Sequence, residues 1–360
     1  MIYTTEEFRE ELYSESTSAS QSRLKIYTQD GIISSKNKSD KELFYKEYDH
    51  FIIGSGVDDL LTRGREIFDK KYYKSNFDNK PSEKIMSIVQ QIFTIFPEKE
   101  LDECDKEIIQ ACKEHNYQAN WTNEQTKINK IYKEGLDYFK HLKKAKGRQV
   151  ISEKEYSKIT TISNNLKNHS YTCKYFEDGP DVDIHFQVDI YWEYFTKSGE
   201  PVQCKSLLDM VRINHYDKTI RPIDIKTMGG DTINFVTSLR KRRYDFQAAF
   251  YTEALIRSDF AKQLGLKDYK ILPFKFLVES TTSPGIPLCF TIDNSLLSLG
   301  KWGRKQLTHK LGNYVVKVPK IYGFDECINL YHWHNETGNK SGKRIINSKG
   351  ELTIDWYGII

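Results

Sequence analysis

Near residue 171 the spacing of apolar side chains changes from three and four to two, which divides the chain into a helical part and a strand-rich part. Upstream, PSEKIMSIVQQIFTIF (81–96) places Ile85, Ile88, Val89, Ile92, Phe93 and Phe96 on one face of an amphipathic helix. WTNEQTKINKIYKEGLDYFKHLKKAKG (121–147) opens with Thr122 three before Gln125, a capping-box pattern, and closes on lysines before Gly147, as the helix dipole favours. Ser152 with Glu155 starts another helix, carrying Ile159, Ile162 and Leu166. Residues 84–168 are therefore expected to be mainly helical. Before them, FIIGSGVDDLLTRG (51–64) starts as an apolar strand or helix, passes Gly54 and Gly56, where backbones approach closely, and continues at helical spacing through Val57, Leu60 and Leu61.

Downstream, IHFQVDIYWEYF (184–195) alternates, KSGEPV turns, CKSLLDMVRI (204–213) is rich in β-formers, NHYDK turns, and TIRPIDIKT (219–227) follows. Three successive antiparallel strands are the natural reading. YDFQAAFYTEALIR (244–257) returns to helix, and YKILPFKFLVES and IPLCFTI return to strand. The order predicts an α/β domain around a mixed sheet.

Within RPIDIKT, Asp224 and Lys226 share one face of a strand while Ile223 and Ile225 take the other. Alone this is an ordinary amphipathic strand, since Asp-x-Lys also occurs at Asp69, Asp78 and Asp268. Asp209, inside SLLDMV, adds weight, because a charge in an apolar strand is costly unless paired or metal-bound. A hairpin turning about Tyr216 and Asp217 sets Asp209 opposite Asp224, with Cβ atoms about 5 Å apart. Carboxylates that close repel unless a cation lies between them, and a hard ion such as Mg²⁺ (or Mn²⁺) suits paired oxygen ligands. Lys226 on the same face is then placed to hold a water beside that ion. On the following helix Gln247 and Tyr251, four apart, form a stripe with Arg243 a turn earlier. That stripe reads either as a grip on a nucleic-acid backbone or as a polar face turned to water.

Length and charge bound the rest. A chain of 360 residues allows one elaborate domain or two ordinary ones, of which one main domain with helical additions is expected, and a net charge of +4 leaves any polyanion to be met by local patches. Two candidates are Arg240, Lys241, Arg242 and Arg243 before the Gln/Tyr helix, and the acid-free stretch 301–320 with Trp302 and Tyr314. No apolar run approaches the roughly 18 residues that span a bilayer, and no basic-then-apolar leader is visible, so no membrane association is expected. Six scattered cysteines without a C-x-x-C pair predict reduced thiols in a cytosol-like compartment. His332 and His334, two apart in YHWHNETGNKSGKR, are read as part of a surface hairpin in preference to a metal site.

Four motifs in this order resemble the PD-(D/E)XK nucleases, and among them the RecB-like and lambda-exonuclease-like phage exonucleases: FIIGSGVDDLLT, QVDIYWEYFTKSGEPVQCKSLLDMV, RPIDIKT and YDFQAAFYTEAL. The resemblance covers roughly 45–290. It implies a restriction-endonuclease-like mixed α/β sheet flanked by helices, with a helical N-terminal portion. The implied organisation is an N-terminal arm or lead-in (1–42), a nuclease domain (43–300) with a helical insertion at about 84–168, and a basic C-terminal extension (301–360). The implied activity is Mg²⁺-dependent DNA hydrolysis, most simply by an exonuclease of recombination or DNA processing. The alternatives are a DNA-binding or assembly module with weakened catalysis, and a restriction-type endonuclease. By the same resemblance Asp209, Asp224 and the backbone carbonyl of Ile225 hold metal, with Asp58 a further candidate ligand. Lys226 serves the attacking water, Gln187 joins the catalytic set, and Gln247, Tyr251, Arg243, Arg240, Lys241 and Arg242 face DNA. Two departures stand out: Asp58 holds a place where relatives often carry His, and Gln187 one where they often carry Glu. No late cysteine group accompanies these motifs, so no iron–sulfur cluster is implied. A single-strand annealing protein and further copies of the chain are the candidate partners, in a host-cell cytoplasm if the chain is phage-encoded.

Overall fold

A computed structural model of the chain describes residues 17–25, 27, 49–76, 81–311, 314–318, 320–337, 354–355 and 358–359. Most of the expected arm at 1–42, and the end of the expected hairpin beyond 337, lie outside the described residues. The chain forms two compact units, one of residues 1–46 with 166–360 and one of residues 47–165.

The first unit opens with a short helix, α1 (Gln21–Lys25). In sequence the second unit then intervenes, and it is mainly helical, as the apolar spacing predicts. It holds α2 (Asp49–Asp58), a π-helical turn Asp59–Arg63, α3 (Gly64–Lys71), β1 (Tyr72–Ser75), α4 (Glu83–Ile95), α5 (Asp105–Glu114), α6 (Glu124–Ala145), β2 (Gln149–Ser152) and most of α7 (Glu153–Asn168). Ile85, Ile88, Val89 and Ile92 line the buried face of α4 and pack with Ile108 of α5 and with Ile131 and Phe139 of α6. Each such side chain contributes roughly 2 kcal/mol of burial. Gly56 lies where a Cβ would meet Cδ1 of Ile159 at 2.5 Å, so what approaches closely there is a side chain and not the backbone that the sequence suggests.

Ser152 and Glu155 form the expected reciprocal box: the Ser152 N–H donates to Glu155 Oε2 at 2.7 Å, and the Glu155 N–H donates to Ser152 Oγ at 3.2 Å. The cap of α6 differs from expectation. Asn123, one residue after Thr122, accepts from the Thr126 N–H at 3.2 Å, because the amide oxygen reaches the third helical residue directly. The parallel pairing of β1 with β2 has no periodic signal in four-residue strands.

The first unit continues with β3 (Val182–Phe195), β4 (Pro201–Asn214), β5 (Thr219–Met228), α8 (Phe235–Arg242), α9 (Tyr244–Arg257), α10 (Phe260–Gln263), β6 (Lys270–Ile271), β7 (Lys275–Ser280), β8 (Leu288–Thr291), α11 (Asn294–Trp302) and, farther on, α12 (Phe324–Thr337). The sheet order is β3-β4-β5-β7-β8, with β6 also on β5. The β3–β4, β4–β5 and β7–β8 pairs are antiparallel and the β5–β7 pair is parallel, which makes the sheet mixed. The fold is thus α/β around a mixed central sheet flanked by helices. On its helix-covered side α9 buries Phe246 and Phe250, and the Phe250 ring meets Trp192 of β3 edge to face at 4.8 Å. The same ring meets Phe324 of α12 at 5.5 Å. Gly300 lets α11 cross α9, since a Cβ there would lie 2.2 Å from the Asp245 carbonyl oxygen.

His332 and His334 lie on α12 rather than on a hairpin strand. Two residues apart on a helix they do not share a face, and His334 is buried with its ring 5.5 Å from that of Tyr27. All six cysteines are free. Among the described residues no helix is long and apolar enough to cross a membrane.

Candidate active site

The β4–β5 hairpin has the register that the sequence predicts, and it ends one residue short of the two aspartates. Pairing runs from Asn214 opposite Thr219 to Met210 opposite Ile223 and then stops. At Asp209 the side chain replaces the ladder: Oδ2 accepts the Ile225 N–H at 2.8 Å, as a strand carbonyl would. The β3–β4 ladder is interrupted at the same point. Phe186 faces Met210 and Val188 faces Leu208, and the ladder skips Gln187 and Asp209 between them. Gln187 has φ 49°, the left-handed region, which is unusual for a non-glycine residue inside a strand and costs on the order of 1 kcal/mol. Backbone strain of this kind concentrates at functional sites. At Asp209 the sheet therefore parts on the β5 side, while on the β3 side the ladder skips one position and resumes.

Asp224 lies just beyond the split, on the part of β5 that pairs with β7. It is 1% exposed, so RPIDIKT has no solvated face at this residue. Its Oδ1 accepts from Gln247 Nε2 at 2.6 Å, and its Oδ2 forms an ion pair with the Lys226 ammonium. Burial pushes the Asp224 carboxyl above its ordinary range, against the opposing pull of Lys226, Lys25 and the Gln247 amide. Burial pulls Lys226 down, but Asp224 and Asp209 more than reverse this and hold it above the usual lysine value. With a cation on one oxygen and an amide donor on the other, the carboxylate is the favoured form of Asp224, and the shared proton belongs to Lys226. The Lys226 ammonium also lies 5.2 Å from the centre of the Tyr244 ring and 6.0 Å from that of Phe276.

The helix α9 presents its conspicuous polar residues inward. Gln247 and Tyr251 are both buried, Gln247 on Asp224 and Tyr251 beside Phe274. Arg243, in the left-handed conformation at the α8–α9 junction, is held by Asp245 through paired bonds at 2.9 Å from Nε and from the terminal nitrogen. Arg240, Lys241 and Arg242 are exposed at the end of α8. Asp58 belongs to the unit of residues 47–165, where it ends α2 before the π-helical turn. Its neighbour Asp59 is buried and accepts from Tyr72 and Lys71 at 3.0 and 3.1 Å.

Two residues of the site carry no sequence signal. Tyr244 stands under Lys226, and Lys25 of α1 approaches from the far end of the chain. Among the described residues no group of three or more His, Cys, Asp and Glu gathers as a metal site.

No protein-family model matches the chain, and no curated protein matches it. Among solved structures it is similar to a Eubacterium rectale protein provisionally named an exonuclease, at 17% identity and a TM-score of 0.29. The match covers 52% of this chain and 66%, just under two thirds, of that one. A likeness of that size carries no weight for function, which must rest on the chain's own geometry.

Proposed function

We propose that the chain is a divalent-metal-dependent deoxyribonuclease of the PD-(D/E)XK type, acting on DNA ends as an exonuclease. The observation that carries the reading is the buried Asp224 carboxylate, fixed by Gln247 and Lys226 at the point where Asp209 opens the sheet. A buried carboxylate paired with a half-buried lysine two positions along the strand is expensive to maintain where apolar residues would pack more cheaply. The donor set fits a hard cation: Asp209 binds the amide of the residue next to Asp224, and Mg²⁺ commonly takes one or two carboxylates, with waters and phosphate oxygens completing its shell. Asp209 and Asp224 would hold the ion, with the carbonyl of Ile225, the residue after Asp224, as a further ligand. Bound there, it would stabilise negative charge developing on a phosphate and make a water acidic.

The chain's own groups do the rest. Gln247 anchors Oδ1 of Asp224 and so fixes the orientation of Oδ2. Lys226, held protonated by two carboxylates, acts as a cation and hydrogen-bond donor that orients the attacking water, and not as a base. The exposed Arg240, Lys241 and Arg242 supply phosphate contacts beside this centre.

The test is digestion of linear and of closed circular DNA in Mg²⁺ and in EDTA. Loss of linear DNA from its ends in Mg²⁺ alone is expected. Cleavage of the circle would replace the exonuclease with an endonuclease of the restriction type, and cleavage undiminished in EDTA would overturn the reading. A second reading, a DNA-binding module that has lost catalysis, is favoured by Gln187, which brings no charge where related sites often have an acid. It expects salt-sensitive binding with no cleavage in either metal condition.

A further inference from the structure

Where β4 parts from β5, residues 17–25 fill the opening. The Ala19 N–H donates to the Gln203 carbonyl and the Lys205 N–H to the Ala19 carbonyl, both at 2.8 Å, so Ala19 sits beside Cys204 on the edge that β5 leaves. Ala19 and Leu24 are fully buried, and the Tyr331 hydroxyl donates to the Thr17 carbonyl at 3.0 Å. The segment is packed as part of the core and not as a loose lead-in. Its helix α1 ends on Lys25, whose ammonium donates to the Arg242 carbonyl at 3.1 Å and lies 5.8 Å from the centre of the Tyr244 ring. Lys226 lies 5.2 Å from the same ring. One tyrosine thus carries two ammonium groups, from residues 25 and 226, beside one buried carboxylate. Burial, and the repulsion of Lys226, pull Lys25 down to about 8, while Asp245 and Asp224 act the other way.

Two cations brought near one buried carboxylate repel each other, and the second of them is supplied by an N-terminal segment docked on the edge of β4. That cost is offset when an anion arrives. We infer that Lys25 is a second cationic group of the site, contacting a non-bridging oxygen of the phosphodiester bound beside Lys226. The inference rests on the hydrolase reading above for its substrate. It adds a residue from outside all four motifs and gives the packed N-terminal segment a role in the reaction.

The test uses the full chain, unaltered and as Lys25→Met, Lys25→Gln and Lys25→Arg, with a short end-labelled DNA duplex. Affinity is read by fluorescence anisotropy in EDTA over a salt series, and single-turnover cleavage is read in Mg²⁺. Thermal melting shows that each variant folds, and Lys25→Gln serves if Lys25→Met does not. Losing one charge-assisted phosphate contact is expected to weaken binding roughly tenfold and to reduce the salt slope by about 1. Cleavage should fall at least as much, and Lys25→Arg should restore most of both. A neutral variant with unaltered affinity and salt slope overturns the inference, as does an Arg variant as defective as Met. If the unaltered chain binds but does not cut, the hydrolase reading fails and the affinities still decide the role of Lys25. If it cuts and the Lys25→Met variant cuts equally, the Lys25 inference alone fails. If it does not bind DNA at all, both fall.

Discussion

At the scale of single residues, the site depends on how two side chains, Gln247 and Lys226, divide the Asp224 carboxylate. Gln247→Leu removes the donor on Asp224 Oδ1 and leaves that oxygen buried. A stability loss of about 1–3 kcal/mol in urea unfolding is expected, with a larger proportional loss of cleavage than of DNA affinity. Gln187 tests the strained position. Gln187→Gly relieves the left-handed backbone and is expected to gain up to about 1 kcal/mol of stability while lowering cleavage; loss of stability would show that the side chain is a structural support. A third expectation concerns pH. Lys205 is buried on β4, and burial, with Arg23 nearby, brings it down to about 8 from 10.5. Between those values the unfolded chain binds the proton and the folded chain does not, so this residue makes stability rise with pH. From pH 7 to 9 its contribution is roughly 1 kcal/mol, and urea unfolding of Lys205→Met should show a correspondingly flatter pH dependence.

Much at this scale could be read from the chain. Asp224 and Lys226 share a face because strands repeat every two residues, and Asp209 stands out as a charge among apolar neighbours. Gln247 was legible as a residue of interest but not in its role. A helix with buried residues nearly all round gives no apolar stripe from which to tell inward from outward. Arg243 looked available for phosphate, but its partner Asp245 becomes a partner only through the left-handed junction between two helices. Lys25 had no signal at all, because its neighbourhood with Lys226 is created by the tertiary fold.

At the scale of elements, the informative event is the departure of β4 from β5. Register was legible as far as Met210 and Ile223, since the turn residues fix it. That the ladder ends there was not, because a side chain substituting for a strand carbonyl leaves no mark on periodicity. The placement of α9 then decides where Gln247 reaches. Gly300 on α11 holds that helix close, and Gly300→Ala would place a methyl 2.2 Å from the Asp245 carbonyl oxygen. Backbone must move to accommodate it, at a cost of roughly 1–3 kcal/mol. We expect a lowered melting temperature together with reduced cleavage, because α9 carries Gln247. Full activity in this variant would show that Gln247 tolerates a shifted helix.

At the scale of the molecule, a net charge of +4 gives little general attraction for DNA, so affinity should come from local groups and fall steeply with salt. Replacing Arg240, Lys241 and Arg242 together with Ala is expected to reduce the salt slope by up to about 3 and to weaken binding of unrelated sequences alike, as phosphate contacts do. The α/β order and the helical 84–168 segment were legible from the change of apolar period. The segment 17–25 was not, because a short polar stretch docked on a strand edge has no period of its own. The most direct test of the centre is single-turnover cleavage of a linear duplex by Asp224→Asn in Mg²⁺, with melting to confirm the fold. The substitution keeps size and an oxygen for Gln247 but removes the charge. A loss of at least about 10²-fold in rate is expected, and cleavage at the unaltered rate by a folded Asp224→Asn chain would contradict the account.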